Sequence, residues 1–371
     1  MNQIISVSCK LQVVPKLRQE IDLTLGRFAD GCNHALGVSR ESGVRSANKL
    51  QKLTYHDIRT LTGLKANHTC QAVRRVCAAL KAQKQVHKFR PTSMGLDVRT
   101  FSFREEDWSV GVTLLNGREW FKLSIGNYQR GLLSGQQPTS ATLVKKRNGS
   151  YYIQIQVEIP TQPPGKTPKV IGVDLGRRDI AHTSTGKSWE GETTAKIRDR
   201  YFKTRRSIQC RRTKSSRRLL RRLSGKEARF RKHVNHEISK QLVQEAKQSN
   251  AALAFEDLTG IRQRAKVRKA QRREHHGWSF YQLRQFVQYK ANIAGVPVIL
   301  VDPRYTSKTC SRCHHIGQRN AKDFRCGHCG LHIDADLNGA LNISSLGAVV
   351  ALPESSMMAC QLEGQLSLLV A

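Results

Sequence analysis

Residues 310–338 read CSRCHHIGQRNAKDFRCGHCGLHIDADLN and hold four thiols followed by two carboxylates. Cys310, Cys313, Cys326 and Cys329 form two CxxC pairs separated by twelve residues, a spacing that closes two short loops around a tetrahedral Zn²⁺ ion. The spacer is slightly shorter than the commonest zinc-module range, and His314, His315, His328 and His332 are spare donors. A redox dithiol needs one CxxC at a strand-to-helix turn, not two facing pairs with Gly327 and Gly330 in the second knuckle. Four thiolates fill the coordination shell, so the expected zinc does not activate water. Its role is to order a segment that cannot bury enough apolar surface alone.

Three further carboxylate positions carry a different chemistry. Asp174 ends the apolar run KVIGVD, Glu256 ends ALAFE, and Asp336 precedes the expected helix NGALNISSL. Open α/β sheets place their ligands at strand ends. Hard oxygen donors from separate elements can hold two Mg²⁺ about 4 Å apart, one activating water and the other stabilising a leaving 3′ oxygen, as phosphodiester hydrolysis requires. Each acid alone is weak evidence, because an Asp at a strand end is more often a turn former or helix cap. Periodicity leaves Glu256 against Asp257 open, and Asp334 against Asp336 also. Asp336 is preferred because Asn338 and Leu341 follow it on one helical side, whereas Asp334 is expected to close the metal knuckle.

The chain has 371 residues, with 63 Lys+Arg against 28 Asp+Glu and a formal net charge of +35. So large a charge calls for a polyanionic partner. A membrane is disfavoured, since no run approaches the roughly 18 apolar residues of a spanning helix and the N-terminus lacks a signal-peptide core. Nucleic acid is the expected partner. Six cysteines (Cys9, Cys32, Cys70, Cys77, Cys210 and Cys360) lie scattered in apolar or helical contexts. They are expected to be small buried hydrophobes in a reducing, cytoplasmic compartment.

The elements that must position these groups are legible in outline. Val7, Cys9, Leu11 and Val13 alternate with polar residues up to Pro15, as in a half-buried strand; Leu17, Ile21, Leu25, Phe28, Cys32 and Leu36 mark an amphipathic helix, and a second covers about 68–86. Strand patterning returns from Asp97 to Ile125 and in YYIQIQVEIP, so the helices look inserted within a small barrel or sheet. TQPPGKTPK reads as a linker, with a domain boundary near residue 166. Beyond it, strands at KVIGVD, DIAHTSTG, AALAFEDL and VPVILVDP alternate with helices at about 195–249 and 279–294, the pattern of a partly parallel sheet covered on both faces.

Two basic runs flank the acidic strand. Residues 196–232 carry Arg205, Arg206, Arg211, Arg212, Arg217, Arg218, Arg221 and Arg222 beside an apolar seam that includes Ile208, Leu219 and Leu223. Residues 262–278 carry Arg268, Lys269, Arg272 and Arg273. Such density repels itself without a polyanion, and these residues are the expected contacts to nucleic-acid backbones.

IGVDLG, NHEISK, LAFEDLTGI, TSKTCSRC, FRCGHCG and DADLNGALNI, taken in that order, resemble the TnpB family of insertion-sequence-encoded proteins, related to compact type V CRISPR effectors. The likeness covers residues 170–343; the N-terminal third agrees more loosely. It implies a multidomain α+β and α/β chain. A wedge β-barrel would span 1–15 and 92–165, with a helical recognition domain at 16–91. A RuvC-like, RNase H-type α/β nuclease domain would span 166–304 and 334–371, with a zinc ribbon that binds target nucleic acid inserted at 305–333. It further implies an RNA-guided DNA endonuclease of a transposable element, bound to a transposon-end guide RNA. Such an enzyme acts on double- and single-stranded target DNA beside a short adjacent motif, in a prokaryotic cytoplasm, with a monomer favoured. Carried over by position, the catalytic, Mg²⁺-binding acids fall on Asp174, Glu256 and Asp336, in favour of the two choices left open above. The zinc ligands fall on Cys310, Cys313, Cys326 and Cys329. Ala335 and Gly339 depart from the family's usual residues, and neither departure is expected to touch a ligand.

Three other readings share parts of this pattern. A nuclease-inactive RNA-guided repressor would have no need to keep all three acids. A DDE-type transposase would share the metal chemistry but leaves the zinc ribbon before the last aspartate without a purpose. A small type V CRISPR effector differs only in the source of its guide.

Overall fold

The opening strand β1 (Asn2–Leu11) buries Val7, Cys9 and Leu11 on one face, the alternation its sequence encodes. In the computed structural model, which describes residues 2–83, 85–163, 165, 167, 169–176, 179–258 and 280–351, the chain divides between Ile159 and Pro160 into two units.

The first unit inserts three helices between strands. Pro15, whose ring presets a helical φ, opens α1 (Pro15–Ser42), and Gly43, at φ 71°, closes it in the left-handed region. Next come α2 (Ala47–Thr62) and α3 (Ala66–Ala82). The sequence pattern shows α1 and α3 but not α2, whose buried stripe of Leu50, Thr54, Ile58 and Thr62 is half threonine. A Cβ on Gly31 would lie 2.9 Å from Ile58 Cγ2, so glycine permits the close approach of α1 to α2. The strands β2 (Ser93–Leu96), β3 (Phe101–Arg104), β4 (Ser109–Thr113), β5 (Arg118–Ser124), β6 (Ala141–Lys145) and β7 (Tyr151–Pro160) follow, with the short α4 (Asn127–Leu133) after β5. With β1 they form one sheet in the order β2-β6-β7-β1-β5-β4-β3.

The second unit is built on a five-stranded sheet, order β10-β9-β8-β11-β12. Its strands are β8 (Lys169–Asp174), β9 (Asp179–Thr183), β10 (Ser188–Glu190), β11 (Ala251–Glu256) and β12 (Val298–Val301). β8, β11 and β12 are parallel, while β9 and β10 add on antiparallel. The expected basic helical region is two helices, α5 (Glu192–Cys210) and α6 (Lys214–Gln248); Thr213 starts the second, its hydroxyl accepting the Ser216 N–H at 3.1 Å. α7 (Phe280–Ala294) leads to β12, and α8 (Ala335–Ala351) closes the described chain.

Both faces of this sheet are covered, and strand alternation decides which residues meet which cover. Leu253 and Phe255 join Ile171 and Val173 in a core with Leu242 of α6 and Val287 of α7. Ala254 joins Val301 and Ile343 in a second core under α8. On that face the backbone of α8 comes unusually close, since a Cβ on Gly172 would lie 2.0 Å from the Ala340 carbonyl oxygen. Gly347 approaches Ala254 and Val170 in the same way. Three short strands, β13 (Gln318–Asn320), β14 (Asp323–Arg325) and β15 (His332–Asp334), form a separate antiparallel sheet just before α8. Among the described residues no helix is long and apolar enough to cross a membrane.

The cysteine expectations divide. Cys9, Cys32 and Cys77 are buried and Cys70 is half-buried, but Cys210, the last residue of α5, is exposed, because it lies two positions past the buried Ile208 and so on the other side of the helix; Cys360 lies outside the described residues.

His68 of α3 is fully buried, and burial, helped by the charge of Lys65, lowers its pKa from 6.5 to about 4. The unfolded chain therefore takes up a proton first on acidification, and stability falls as pH drops from about 6.5 towards 4, by up to about 3 kcal/mol. Urea midpoints followed between pH 7 and 4.5 are expected to show this slope, and His68→Leu to flatten it.

Candidate metal and nucleic-acid site

The two-residue period of the sheet sorts the acids. Val170, Gly172 and Asp174 share the β8 face under α8, and Ala254 and Glu256 share the corresponding β11 face. Asp257 therefore points to the opposite side, where it pairs with Arg284 of α7 at 2.8 Å. Periodicity alone left Glu256 and Asp257 open; the packing separates them.

α8 then brings Asp336 to the same place. Asp334 Oδ1 accepts the backbone N–H groups of Asp336 at 2.8 Å and Leu337 at 3.1 Å, so Asp334 caps the helix rather than closing the metal knuckle. One and two turns on, Asn338 Nδ2 donates to the Thr309 carbonyl at 2.8 Å, and Asn342 Nδ2 to those of Thr306 and Thr309 at 2.8 and 2.7 Å. Asn338 Oδ1 also accepts the Ser311 N–H at 2.9 Å. These bonds tie the helix to the start of the cysteine segment. Gly339 is not remote from the site: a Cβ there would stand 3.1 Å from Asp174 Oδ2, so this departure from the family pattern does touch one of the acids.

Asp174, Glu256 and Asp336 line one cavity of about 1280 Å³, together with Asp179, Thr306, Arg319 and Lys322. Burial, then the charges of Glu256 and Asp336, push the Asp174 carboxyl up to about 7. Burial also raises Glu256, against a hydrogen bond from the Thr306 hydroxyl and the charge of Arg319. Asp336 is raised by burial, with Arg319 opposing. Arg319 Nη2 lies 2.6 Å from Asp336 Oδ1, and Lys322 Nζ lies 2.8 Å from Asp179 Oδ2. Both cations come from the β13–β14 hairpin, inside the spacer between the CxxC pairs. Sequence reasoning passed over them, and over Thr306 and Asp179, because nothing but the tight hairpin turns residues 319 and 322 toward the acids.

The four thiols converge. Cys310 Sγ lies 3.6 Å from Cys329 Sγ and Cys313 Sγ 3.5 Å from Cys326 Sγ, and all four sulfurs fall within 4.8 Å of one another. Tetrahedral Zn²⁺ with bonds of about 2.3 Å needs sulfurs about 3.8 Å apart, so the donor set fits that ion. The backbone N–H groups of Cys329 and His328 lower the Cys326 thiol, while burial and hydrogen bonds with the other three sulfurs raise Cys313, so the four thiols share protons and titrate as one cluster.

The expected backbone-contacting residues fare unequally. Arg205 is half-buried in an ion pair with Glu227 across α5 and α6, while Arg206, Arg211, Arg212, Arg217, Arg218, Arg221 and Arg222 are exposed. Arg268, Lys269, Arg272 and Arg273 lie outside the described residues.

Comparison with known proteins adds to this geometry. A family described as "Probable transposase" (OrfB_IS605) matches residues 154–262, and one described as "Cas12f1-like, TNB domain" matches residues 280–343. A TnpB-like protein of Methanocaldococcus jannaschii is 29% identical over 205 residues, covering 51% of this chain and 74% of its own length. Over this segment the chain is similar to the TnpB proteins. The CRISPR-associated endodeoxyribonuclease Cas12f1 of Sulfoacidibacillus thermotolerans is 31% identical over 237 residues, which are 57% of this chain but only 54% of that protein. A solved Cas12f1–sgRNA–target DNA complex aligns at a TM-score of 0.65 and 14% identity, over 89% of this chain and 83% of that one, and shows a shared fold.

A buried carboxylate whose pKa is raised on folding is easier to fold protonated, so its stabilising balance is lost as pH rises from the ordinary range through about 7. At pH 8 in Mg²⁺-free buffer, Asp174→Asn is therefore expected to raise the thermal midpoint, by the equivalent of roughly 1 to 4 kcal/mol. An unchanged or lower midpoint would show that the acids are not in electrostatic conflict.

Proposed function

We propose that this chain is an RNA-guided DNA endonuclease of a transposable element, and that Asp174, Glu256 and Asp336 are its catalytic acids. The observation that carries the reading is that these three carboxylates, from two parallel strand ends and a helix start, line one cavity. In this reading the second unit is a RuvC-like, RNase H-type domain with the cysteine segment as its zinc ribbon, and the first is a wedge domain with an inserted helical recognition part. Guide RNA and target DNA are the partners in this reading, consistent with the net charge of +35 and with the guide RNA and target DNA of the solved Cas12f1 complex.

The three carboxylates supply the hard oxygen donors that Mg²⁺ prefers. Bound there, two Mg²⁺ would activate water and stabilise the leaving oxygen of a phosphodiester. The chain's own part is positional. Asp334 and the two asparagines hold Asp336 in place, and the Thr306 hydroxyl orients Glu256. Arg319 and Lys322 present cations to any phosphate entering the cavity. The seven exposed arginines of α5, α6 and their junction would follow a nucleic-acid backbone through salt-dependent contacts.

A small type V CRISPR effector is the neighbouring reading, favoured by the Cas12f1 relative; sequencing the RNA that co-purifies would separate a transposon-end guide from a CRISPR one.

Purified with the RNA encoded beside it, the protein is expected to cut guide-matched DNA in Mg²⁺. Asp174→Ala and Asp336→Ala should each lower cleavage about 1000-fold or more while retaining the RNA. Undiminished cutting by either variant would remove that residue from the chemistry. Cys326→Ser is expected to lose zinc and, through misplacement of α8, to lower cleavage as well; full cleavage without zinc would sever the ribbon from the site.

A further inference from the structure

The β13–β14 hairpin reaches the acids through Arg319 and Lys322, whose partners differ in kind. Lys322 Nζ lies 2.8 Å from Asp179 Oδ2, and the Lys322 carbonyl accepts the Ala335 N–H at 2.7 Å, so the hairpin tip is tied both to β9 and to the first residue of α8. Beside it Ala321 stands at φ 54°, in the left-handed region that residues other than glycine occupy where their surroundings hold them. Arg319 is placed otherwise. Its Nε donates to the Ala321 carbonyl at 3.3 Å and its Nη2 to Asp336 Oδ1 at 2.6 Å. The Asp336 side chain is only 6% exposed, whereas that of Arg319 is 31% exposed and lines the cavity. A buried carboxylate thus meets a guanidinium that a ligand in the cavity can reach.

We infer that Arg319 is a charge switch: it competes with the divalent cation for Asp336, and a phosphate entering the cavity draws it away, so that metal and nucleic acid load together. The inference rests on Asp336 being a metal-binding acid, as proposed above. A guanidinium and a divalent ion held at one buried carboxylate repel each other, since the cavity screens them less than bulk water does. Arg319 also acts on Asp174 and Glu256, so an ion beside those acids meets the same opposition. A phosphate offers the guanidinium fork two oxygens at once and relieves that opposition by taking Arg319 from Asp336. Lys322, held by Asp179 rather than by one of the three acids, keeps the hairpin tip in place while the Arg319 side chain turns. Without nucleic acid the site therefore has a low affinity for the ion that hydrolysis needs.

Manganese binding to the full chain, followed by the paramagnetic resonance of the free ion, tests the switch without cleavage as the readout. In the absence of nucleic acid, Arg319→Gln should bind Mn²⁺ at least about tenfold tighter than wild type, and adding Asp336→Asn should remove that gain. Arg319→Lys, which keeps the charge, should stay within about threefold of wild type, and this separates loss of charge from disturbance of the hairpin. With saturating single-stranded DNA, and binding to DNA alone subtracted, wild type and Arg319→Gln should differ by less than about threefold. Equal affinities without DNA, or the same ratio with and without it, would overturn the switch. If no Mn²⁺ binding depends on Asp336 in either protein, the metal-binding role of the acids falls, and the switch falls with it.

Discussion

The seating of α8 on one face of the five-stranded sheet is the contact on which the site depends. Gly172 and Gly347 have no side chain to hold helix and sheet apart, and the gap they leave is too small for any other residue. The Ser344 hydroxyl donates to the Val170 carbonyl at 2.6 Å and fixes the helix along the strand. Once this register is set, the first turn of α8 must stand over the ends of β8 and β11, and Asp336 arrives where Asp174 and Glu256 already point. A one-residue slip in either strand would turn its acid to the opposite face, where Asp257 lies against α7.

The electrostatic cost of that meeting shapes the rest of the unit. Three carboxylates raised together are a conflict that cations must relieve, and Arg319 provides the first relief, ion-paired to Asp336 and acting on Asp174 and Glu256 as well. Arg319 is carried by the β13–β14 hairpin, which packs on the small core around Phe324 and the four-thiol cluster. The cysteine segment thus has two mechanical tasks. It aims α8 through Asp334, Asn338 and Asn342, and it presents positive charge to the cavity. Neither asks its metal to take part in a reaction, in keeping with a closed four-thiolate shell.

Much of this was legible in the residues. The CxxC spacing announced the thiol cluster, the alternation in KVIGVD and AALAFE announced the strands, and the family motifs selected the three acids that line the cavity. What escaped had physical causes. α2 hides because Thr54 and Thr62, their hydroxyls satisfied by the carbonyls of Leu50 and Ile58, fill core positions that a pattern of apolar types does not register. Asp334 was misread because a helix cap and a knuckle residue look alike until the N–H groups it accepts are known. Arg205 was counted with its neighbours, although the packing of α5 on α6 pairs it with Glu227.

By itself the sequence determined the chemistry on offer: a closed thiol set, hard carboxylate donors at strand ends, and a charge that calls for a polyanion. These depend on residue type, short spacing and composition, which are local or additive properties. Only the tertiary structure decided which acid faces the cavity, that Gly339 abuts Asp174, and that Arg319 and Lys322 reach across from the cysteine hairpin. Those facts rest on contacts between residues far apart in the chain, such as Gly339 against Asp174, 165 positions away. Such contacts are set by how helix and sheet pack, a geometry that no short stretch of sequence contains.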